Sequence, residues 1–361
     1  MSPILFFDPT CQQPYDTQTL QRQASGGTEA SLTRIADALD AFVVQHNRTA
    51  ACGRYLAPTS IAGIGHVVLN RDPRALPLLR KLYPQARLYL WLHDRLYPGS
   101  TRGRRLASMS RQLCEAQVSL ICVSDSQRRD VEATLYKMGV SDRVPALTIY
   151  NPVDDALAPD GSPVDESKLV FFSAPNKGLK FTLDAFRALR RQMPDLHLVV
   201  GNPGYKIGPA TDIAGVRYLG AQPQYRIHAE VRTALCTFFP NFVIPETFGL
   251  VFAESKALGT PVLTHDCGAA AEILGDSRQV LPVRASYRIY EHMLSGLAPR
   301  WRAAPARFAA RCGLFDAYIE RIRAWRSGTR PQTGPDPRFH LTAVANQWRA
   351  LFAANDGKPR D

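Results

Sequence analysis

Short apolar runs alternate with amphipathic stretches along most of the chain. In its first part these runs predict strands at 4–7, 41–44, 66–69, 88–91, 120–123 and 146–150. Several of the intervals have helical spacing of apolar residues, as at 76–83 and 126–138. Because strands that alternate with helices form parallel sheets, the pattern predicts an α/β fold.

The alternation is interrupted once, at 157–168, where the sequence LAPDGSPVDESK is rich in proline and acidic residues. It then restarts, with predicted strands at 169–172, 196–200, 216–219, 236–242 and 261–265. We interpret 157–168 as a linker between two Rossmann-like lobes, residues 1–156 and 169–337. A cleft between two such lobes is a usual place for ligands, so we expect an interlobe cleft.

The end of the chain predicts one further helix. Val344, Trp348 and Leu351 share one face of a helix at 341–352. Residues 338–361 are therefore expected to form a C-terminal helix followed by a disordered tail from Asn355.

The most informative stretch is PETFGLVFAESKALGTP, residues 245–261. It lies between two predicted strands, and its centre has helical spacing until Gly259 and Pro261 end the helix. Glu246 precedes this helix, and Glu254 lies about one turn into it. Parallel sheets bind ligands beyond the carboxyl ends of their strands, and a helix N-terminus favours phosphate, so this loop is a candidate binding site.

Glu246 and Glu254 are separated by seven residues, and Phe248, Gly249 and Leu250 follow the first of them. This string resembles the Glu-x7-Glu motif of the retaining glycosyltransferases of family 4 (glycosyltransferases group 1), which have the GT-B fold. The resemblance implies a nucleotide-diphosphate sugar as donor substrate. It assigns Glu254 to the ribose hydroxyls, Glu246 to the sugar hydroxyls, and the three intervening N–H groups to sugar and phosphate. It also implies that the C-terminal helix packs back on the first lobe.

Lys177 is the predicted cation for the leaving diphosphate. It follows a predicted strand in FFSAPNKGLKF and precedes a helix, which places it at the ligand-binding edge of the second lobe. Family 4 members have a similar Lys-Gly, preceded by a Gly-Arg pair. Here Ser173 and Ala174 stand in place of that pair, so one phosphate-binding cation is missing. Lys180 is the neighbour that competes for the same role.

The first lobe supplies further candidates. His93 ends a predicted strand, where the resemblance implies contact with the transferred sugar or the acceptor, and Asp94 and Arg95 follow as acceptor-binding candidates. Gly27 belongs to a Gly-Gly pair similar to the family's N-terminal loop that faces the donor. Ser124 matches a strand-end position of the family and equally suits an N-cap for the next helix.

The charge balance points to anionic partners. The net charge is +12, with dense basic clusters at 102–105 and 128–129, which fit either a solvated surface or peripheral attachment to an anionic membrane. The seven cysteines are scattered without a Cys-x-x-Cys pair, which argues against disulfides and zinc. With no secretory signal and no membrane-spanning run in view, we expect a cytoplasmic protein.

With these features, the resemblance implies a retaining, metal-independent glycosyltransferase of the hexosyltransferase type. The expected partners are a nucleotide-sugar donor and a glycan or lipid-linked acceptor, as in surface polysaccharide or lipopolysaccharide synthesis, with no cofactor and no metal. The resemblance favours front-face attack, in which the departing phosphate helps to deprotonate the acceptor. An epimerase or phosphorylase on the same fold and a non-catalytic polyanion-binding protein remain alternatives. Nucleic acid is disfavoured because aromatic residues are not interleaved with the basic clusters, and a dehydrogenase because no Gly-x-Gly-x-x-Gly follows the first strand.

Overall fold

Two separate sheets organise the chain. The computed structural model describes residues 2–202, 212–296 and 303–356. The first unit contains the residues up to Arg22, Gly27–Ala156 and the residues from Pro337 onward, and the second contains Gln23–Gly26 and Leu157–Asp336.

The sheet of the first unit has seven parallel strands: β1 (Ile4–Asp8), β2 (Phe42–Gln45), β3 (Tyr55–Leu56), β4 (His66–Asn70), β5 (Arg87–Leu92), β6 (Ser119–Cys122) and β7 (Ala146–Thr148). Their order is β3-β2-β1-β4-β5-β6-β7. The helices between them are α1 (Thr17–Arg22), α2 (Gly27–Ala38), α3 (Leu76–Leu82), α4 (Thr101–Ala107), α5 (Ser110–Glu115) and α6 (Asp125–Lys137). The strand order reverses between β1 and β4, which is where such sheets bind ligands.

The sheet of the second unit repeats this plan with six parallel strands: β8 (Asp165–Phe172), β9 (His197–Asn202), β10 (Val216–Ala221), β11 (Ala234–Phe238), β12 (Val262–His265) and β13 (Val280–Leu281). Their order is β10-β9-β8-β11-β12-β13, so the reversal falls between β8 and β11. Its helices are α7 (Leu179–Gln192), α8 (Gln224–Arg232), α9 (Leu250–Ala257), α10 (Ala270–Leu274), α11 (Ala285–Gly296), α12 (Ala303–Arg311) and α13 (Asp316–Ala324). Two parallel sheets confirm the predicted α/β class.

The last helix that the structure describes is α14 (Leu341–Ala353), which packs within the first unit. Trp348 is fully buried, with its ring 5.3 Å from that of Trp91 and 6.0 Å from that of Phe6, both on central strands. Phe352 packs against His66, with ring centroids 4.7 Å apart. Trp348 belongs to the predicted apolar face, whereas Leu351, predicted on the same face, is only half-buried and Phe352 is buried in its place.

Several predicted boundaries are wrong for identifiable reasons. Strand β8 begins at Asp165, inside the predicted linker, because the Asp165 N–H donates to the Thr233 carbonyl and extends the sheet. The strand predicted at 236–242 ends at Phe238, shortly before Pro240, which has no N–H for a ladder. Asp356, predicted to be disordered, lies 2.9 Å from the Nε2 of buried His66, while residues 357–361 lie outside the described residues.

Candidate active site

The candidate site in the second unit lies where its strand order reverses. The loop after β8 carries Lys177 and the loop after β11 carries Glu246, so both follow the carboxyl ends of the two strands that flank the reversal. Lys177 also precedes α7, whose N-cap is Gly178 in the left-handed conformation with φ of 93°. Side chains from two loops thus meet at the position where parallel α/β sheets bind ligands.

Lys177 and Glu246 form a bidentate ion pair. The Lys177 Nζ lies 2.9 Å from one carboxylate oxygen of Glu246 and 3.0 Å from the other. The Glu246 side chain is 8% exposed and that of Lys177 is 30% exposed. The Glu246 carboxylate is therefore buried in the protein, whereas the Lys177 ammonium keeps access to solvent. That access is what Lys177 needs in order to bind an incoming anion.

The backbone of Glu246 is fixed by the segment that follows β12. Its carbonyl accepts a hydrogen bond of 2.9 Å from the Ala269 N–H, and Glu246 forms an isolated parallel bridge with Gly268. Gly268 has φ of +72°, and a methyl group there would overlap the Glu246 carbonyl. Only glycine therefore permits this close approach.

Asn241 shapes the loop that leads to Glu246. Its side-chain oxygen accepts from the N–H groups of Val243 and Ile244 at 3.2 and 3.3 Å, and its amide donates to the Ile244 carbonyl. Asn241 is 3% exposed, whereas Val243 and Ile244 are both 38% exposed. A buried amide thus holds a short apolar rim beside the ion pair. The sequence analysis missed Asn241, although asparagine after a strand is a recognisable turn signal.

Glu254 lies in α9, which begins after Gly249 in the left-handed conformation with φ of 82°. Its carboxylate is 5% exposed and lies 3.6 Å from the Nε2 of His228 in α8. Because the first N–H groups of a helix have no partner within it, Leu250 and the residue after it present donors at this end of α9. His228 was not predicted, because nothing near it in the sequence distinguishes it from any helical histidine.

Ala174, which stands at the position of the expected arginine, is buried. Lys180, the alternative to Lys177, lies in the first turn of α7 and is exposed. Of the two lysines, Lys177 is the one paired with Glu246. Among the described residues, no group of three or more His, Cys, Asp or Glu side chains is placed to hold a metal ion.

In the first unit, His93 follows β5 and packs its ring 4.5 Å from that of Trp91. Burial, followed by the positive charge of Arg71, lowers the pKa of His93 to about 3. The imidazole is therefore neutral at physiological pH, which suits a hydrogen-bonding group better than a proton donor. Gly27 is the first residue of α2 in the same unit, and Ser124 caps α6 by accepting from the Gln127 N–H.

Asp94 is engaged by two arginines. Arg71 holds it with two hydrogen bonds of 3.1 Å, and the Arg102 guanidinium lies 2.9 Å from one of its oxygens. The Arg95 side chain pairs with a different carboxylate, since its Nε lies 2.8 Å from Asp130. Asp94 and Arg95, predicted together as acceptor-binding residues, thus have different ion-pair partners. Arg71 escaped the sequence analysis because it stands alone after its strand.

Comparison with known proteins finds a family match within the second unit. Residues 160–283 match the family described as glycosyl transferases group 1. A phosphatidyl-myo-inositol mannosyltransferase from Mycolicibacterium smegmatis is 32% identical over 184 residues, which cover 47% of this chain and 45% of the relative. A D-inositol 3-phosphate glycosyltransferase from Nocardiopsis dassonvillei is 29% identical over 235 residues, covering 57% of this chain and 53% of the relative. The chain thus spans about half the length of the curated relatives it matches.

The fold extends the likeness to nearly the whole chain. A sucrose-phosphate synthase structure from Thermosynechococcus elongatus superimposes with a TM-score of 0.59 over 98% of this chain and all of that one, at 16% identity. At that identity the likeness establishes the two-sheet GT-B architecture alone. Residues 160–283 are thus similar to the group 1 glycosyl transferases, and family 4 membership of the chain is consistent with these findings.

Proposed function

We propose that the chain transfers a sugar from a nucleotide-diphosphate donor to a glycan or lipid-linked acceptor. The observation that carries the proposal is the Lys177–Glu246 pair at the strand-order reversal of the second unit. A diphosphate needs positive charge and N–H donors, and a sugar ring needs acceptors for its hydroxyls. Lys177 and the start of α9 supply the first, and Glu246 supplies the second.

In this proposal Glu254 binds the ribose. A carboxylate suits a diol because both of its oxygens only accept hydrogen bonds. His228, 3.6 Å away, would orient the carboxylate from the side of α8.

The proposed reaction retains the configuration of the sugar and needs no metal. The acceptor hydroxyl oxygen forms a bond to the anomeric carbon as the bond from that carbon to the diphosphate oxygen breaks. The electron pair stays on the departing diphosphate, and an oxygen of that group takes the acceptor's proton on the same face. Lys177 and the N–H groups of α9 would stabilise the charge as it builds up. The neutral His93 would hydrogen-bond the sugar or the acceptor.

The names of the two curated relatives support a hydroxylated, lipid-linked or phosphorylated acceptor. We propose further that the chain works at the surface of an anionic membrane, where lipid-linked acceptors are assembled. Its net charge of +12 supports this attachment. Among the helices that the structure describes, none has the length and apolar character needed to cross a bilayer.

The donor site can be tested with three single substitutions. Glu254→Gln should weaken nucleoside diphosphate binding by about 1.5–3 kcal/mol, because it removes charged hydrogen bonds to the ribose. Lys177→Ala should lower kcat about 100-fold or more while weakening donor binding less, because its charge matters most as the leaving group departs. Lys180→Ala is the matched control and should leave both quantities near those of the unchanged chain. Calorimetry with UDP, GDP and ADP, and nucleotide release from their sugars with and without acceptors, measure these effects.

Different products separate the candidate functions. Acceptor-dependent nucleotide release supports transfer, interconversion of the sugar nucleotide without net nucleotide release indicates an epimerase, and formation of sugar 1-phosphate from a glycan and phosphate indicates a phosphorylase. No binding of any nucleoside diphosphate would leave a non-catalytic polyanion-binding protein. If Lys180→Ala impairs turnover and Lys177→Ala does not, the wrong lysine has been assigned.

A further inference from the structure

A pocket of about 290 Å³ opens in the first unit, beyond the carboxyl ends of its strands. Thr10 and Gln12 follow β1, Arg71 to Arg74 follow β4, and Asp94 follows β5. The strand order reverses between β1 and β4. The pocket therefore occupies in the first unit the position that the Lys177–Glu246 pair occupies in the second.

Its lining is strongly basic. Four arginines line it against two aspartates, a surplus of two positive charges, and the arginines are Arg71, Arg74, Arg102 and Arg105. Asp72 pairs with Arg74, and Asp94 is shared by Arg71 and Arg102. Arg105 is exposed, and within the part of the chain that the structure describes its guanidinium forms no ion pair with a carboxylate. Two guanidinium charges thus remain for a ligand.

Arg71 is held in place before any ligand arrives. It is a non-glycine residue in the left-handed region, with φ of 65°, and its N–H donates to the Trp91 carbonyl at 3.0 Å. Such a conformation persists only where its surroundings impose it, and it occurs often at ligand sites. Because Asp94 fixes the guanidinium through two bonds, one edge of the fork is committed and the side chain loses little freedom when an anion binds.

We propose that this pocket binds a phosphate ester group on the acceptor, with Arg71, Arg102 and Arg105 as its ligands. That the ligand is the acceptor rests on the proposed function, whereas the binding of a phosphate ester in this pocket does not. Guanidinium groups match phosphate oxygens in geometry and charge. The volume suits a small phosphorylated polyol, and Thr10 and Gln12 offer polar groups to its hydroxyls.

The test uses the full chain with Lys177→Ala as background, so that the cation of the second unit cannot account for binding. Glycerol 3-phosphate and inorganic phosphate are titrated by calorimetry into this background and into three further variants. Arg105→Ala should weaken both about 3- to 10-fold, since an exposed arginine contributes less than a buried one. Arg71→Lys should also weaken both, because an ammonium keeps the charge and loses the planar fork.

Arg129→Ala is the matched control, because Arg129 is an exposed arginine of the same unit that does not line the pocket. It should change either affinity less than twofold. Equal losses in Arg105→Ala and Arg129→Ala would overturn the proposal in favour of diffuse charge attraction, and so would the absence of phosphate binding in the Lys177→Ala background. Arg105 is exposed, so its variant should fold even if Arg71→Lys does not.

A second arm distinguishes the two sources of the phosphate ester. A lipid headgroup is indicated if phosphatidylglycerol vesicles displace glycerol 3-phosphate from the background variant and if Arg105→Ala weakens this displacement. Vesicles that do not displace it indicate a soluble phosphorylated acceptor. Both outcomes support a phosphate-ester site. Failure of nucleoside diphosphates to bind the unsubstituted chain would refute the proposed function and leave this result standing.

Discussion

At the scale of single residues, Gly268 decides where the Glu246 carboxylate stands. The two residues are joined by a backbone bridge, and the space a side chain would need at Gly268 is filled by the Glu246 carbonyl. Because the ion pair with Lys177 fixes only the end of the Glu246 side chain, the backbone contact must fix its base. A residue with no side chain of its own thus positions the site's carboxylate.

Gly268→Ala should therefore displace Glu246 and reduce kcat about 100-fold, the scale of a displacement near 1 Å. The left-handed conformation alone costs an alanine about 1–2 kcal/mol. Gly275→Ala controls for that cost, since Gly275 has φ of +68° with no atom near the added carbon. Steady-state kinetics and thermal melts of both variants separate the effects. Wild-type turnover in a folded Gly268→Ala variant would show that the placement of Glu246 does not matter.

At the scale of elements, the sequence predicted the long strands and amphipathic helices and missed the short ones. Strand β3 has only two residues, and α4 and α5 are helices of seven and six residues whose polar and charged side chains hide any apolar period. Both helices are set by tertiary contacts: Leu106 and Leu113 are buried in the core of the first unit. Elements of this length take their structure from packing rather than from local pattern.

The candidate site was predictable in its members and not in its contacts. Lys177 and Glu246 were both expected at the sheet edge, because each follows a strand in a motif. Their pairing joins residues 69 positions apart and needs the strand order, which periodicity does not give. Arg71 was missed because its position depends on a left-handed backbone and on its contact with Asp94, and the sequence around Arg71 indicates neither of them.

An aromatic cluster ties β12 to α11 and α13 in the second unit and encloses a histidine. His265 is fully buried, its Nε2 lies 2.8 Å from the Tyr318 hydroxyl, and its ring lies 4.7 Å from that of Tyr287. Burial lowers the pKa of His265 to about 3. Protonation is thus disfavoured in the folded protein and unhindered in the unfolded chain, whose histidine titrates near 6.5.

The stability linked to His265 should therefore be complete above about pH 6.5 and fall as the pH drops toward 3, because the unfolded state then binds the extra proton. Between pH 6.5 and 4 the loss is on the order of 3 kcal/mol. His265→Phe should flatten the fall in apparent Tm over this range, whereas His292→Phe, at an exposed position, should not. An unchanged acid profile in His265→Phe would contradict the assignment. His93 adds a similar dependence in the first unit.

At the scale of the whole molecule, the basic surplus is divided between structural and exposed arginines. Arg330 donates to the Leu235 carbonyl at 2.8 Å, and Arg34 donates to the Pro152 carbonyl at 3.2 Å. Such side chains satisfy backbone groups and are not available to a partner surface. By contrast, Arg105 and Arg129 are exposed on α4 and α6, two helices that contact each other. Arg104 of α4 is also exposed, although it donates to the Gly99 carbonyl at 2.6 Å. These three exposed charges, on two contacting helices, are thus available to an anionic surface.

Membrane attachment through the exposed arginines of α4 and α6 can be tested by replacing them and by varying the salt concentration. Tyr97, before α4, and Tyr136, in α6, are 45% and 78% exposed, and tyrosine favours the interface of a bilayer. We expect the chain to sediment with phosphatidylglycerol vesicles at low salt and to be released as the salt rises, because screening at 0.1 M acts over about 10 Å. Replacing Arg104 and Arg129 together with alanine should weaken the attachment by about 2 kcal/mol, near 1 kcal/mol for each charge.

Replacing Arg323 and Arg326 of the second unit removes the same net charge and should have little effect. Equal sedimentation with neutral and anionic vesicles would exclude attachment through charge, and equal losses in the two double variants would show that net charge rather than this pair of helices carries it.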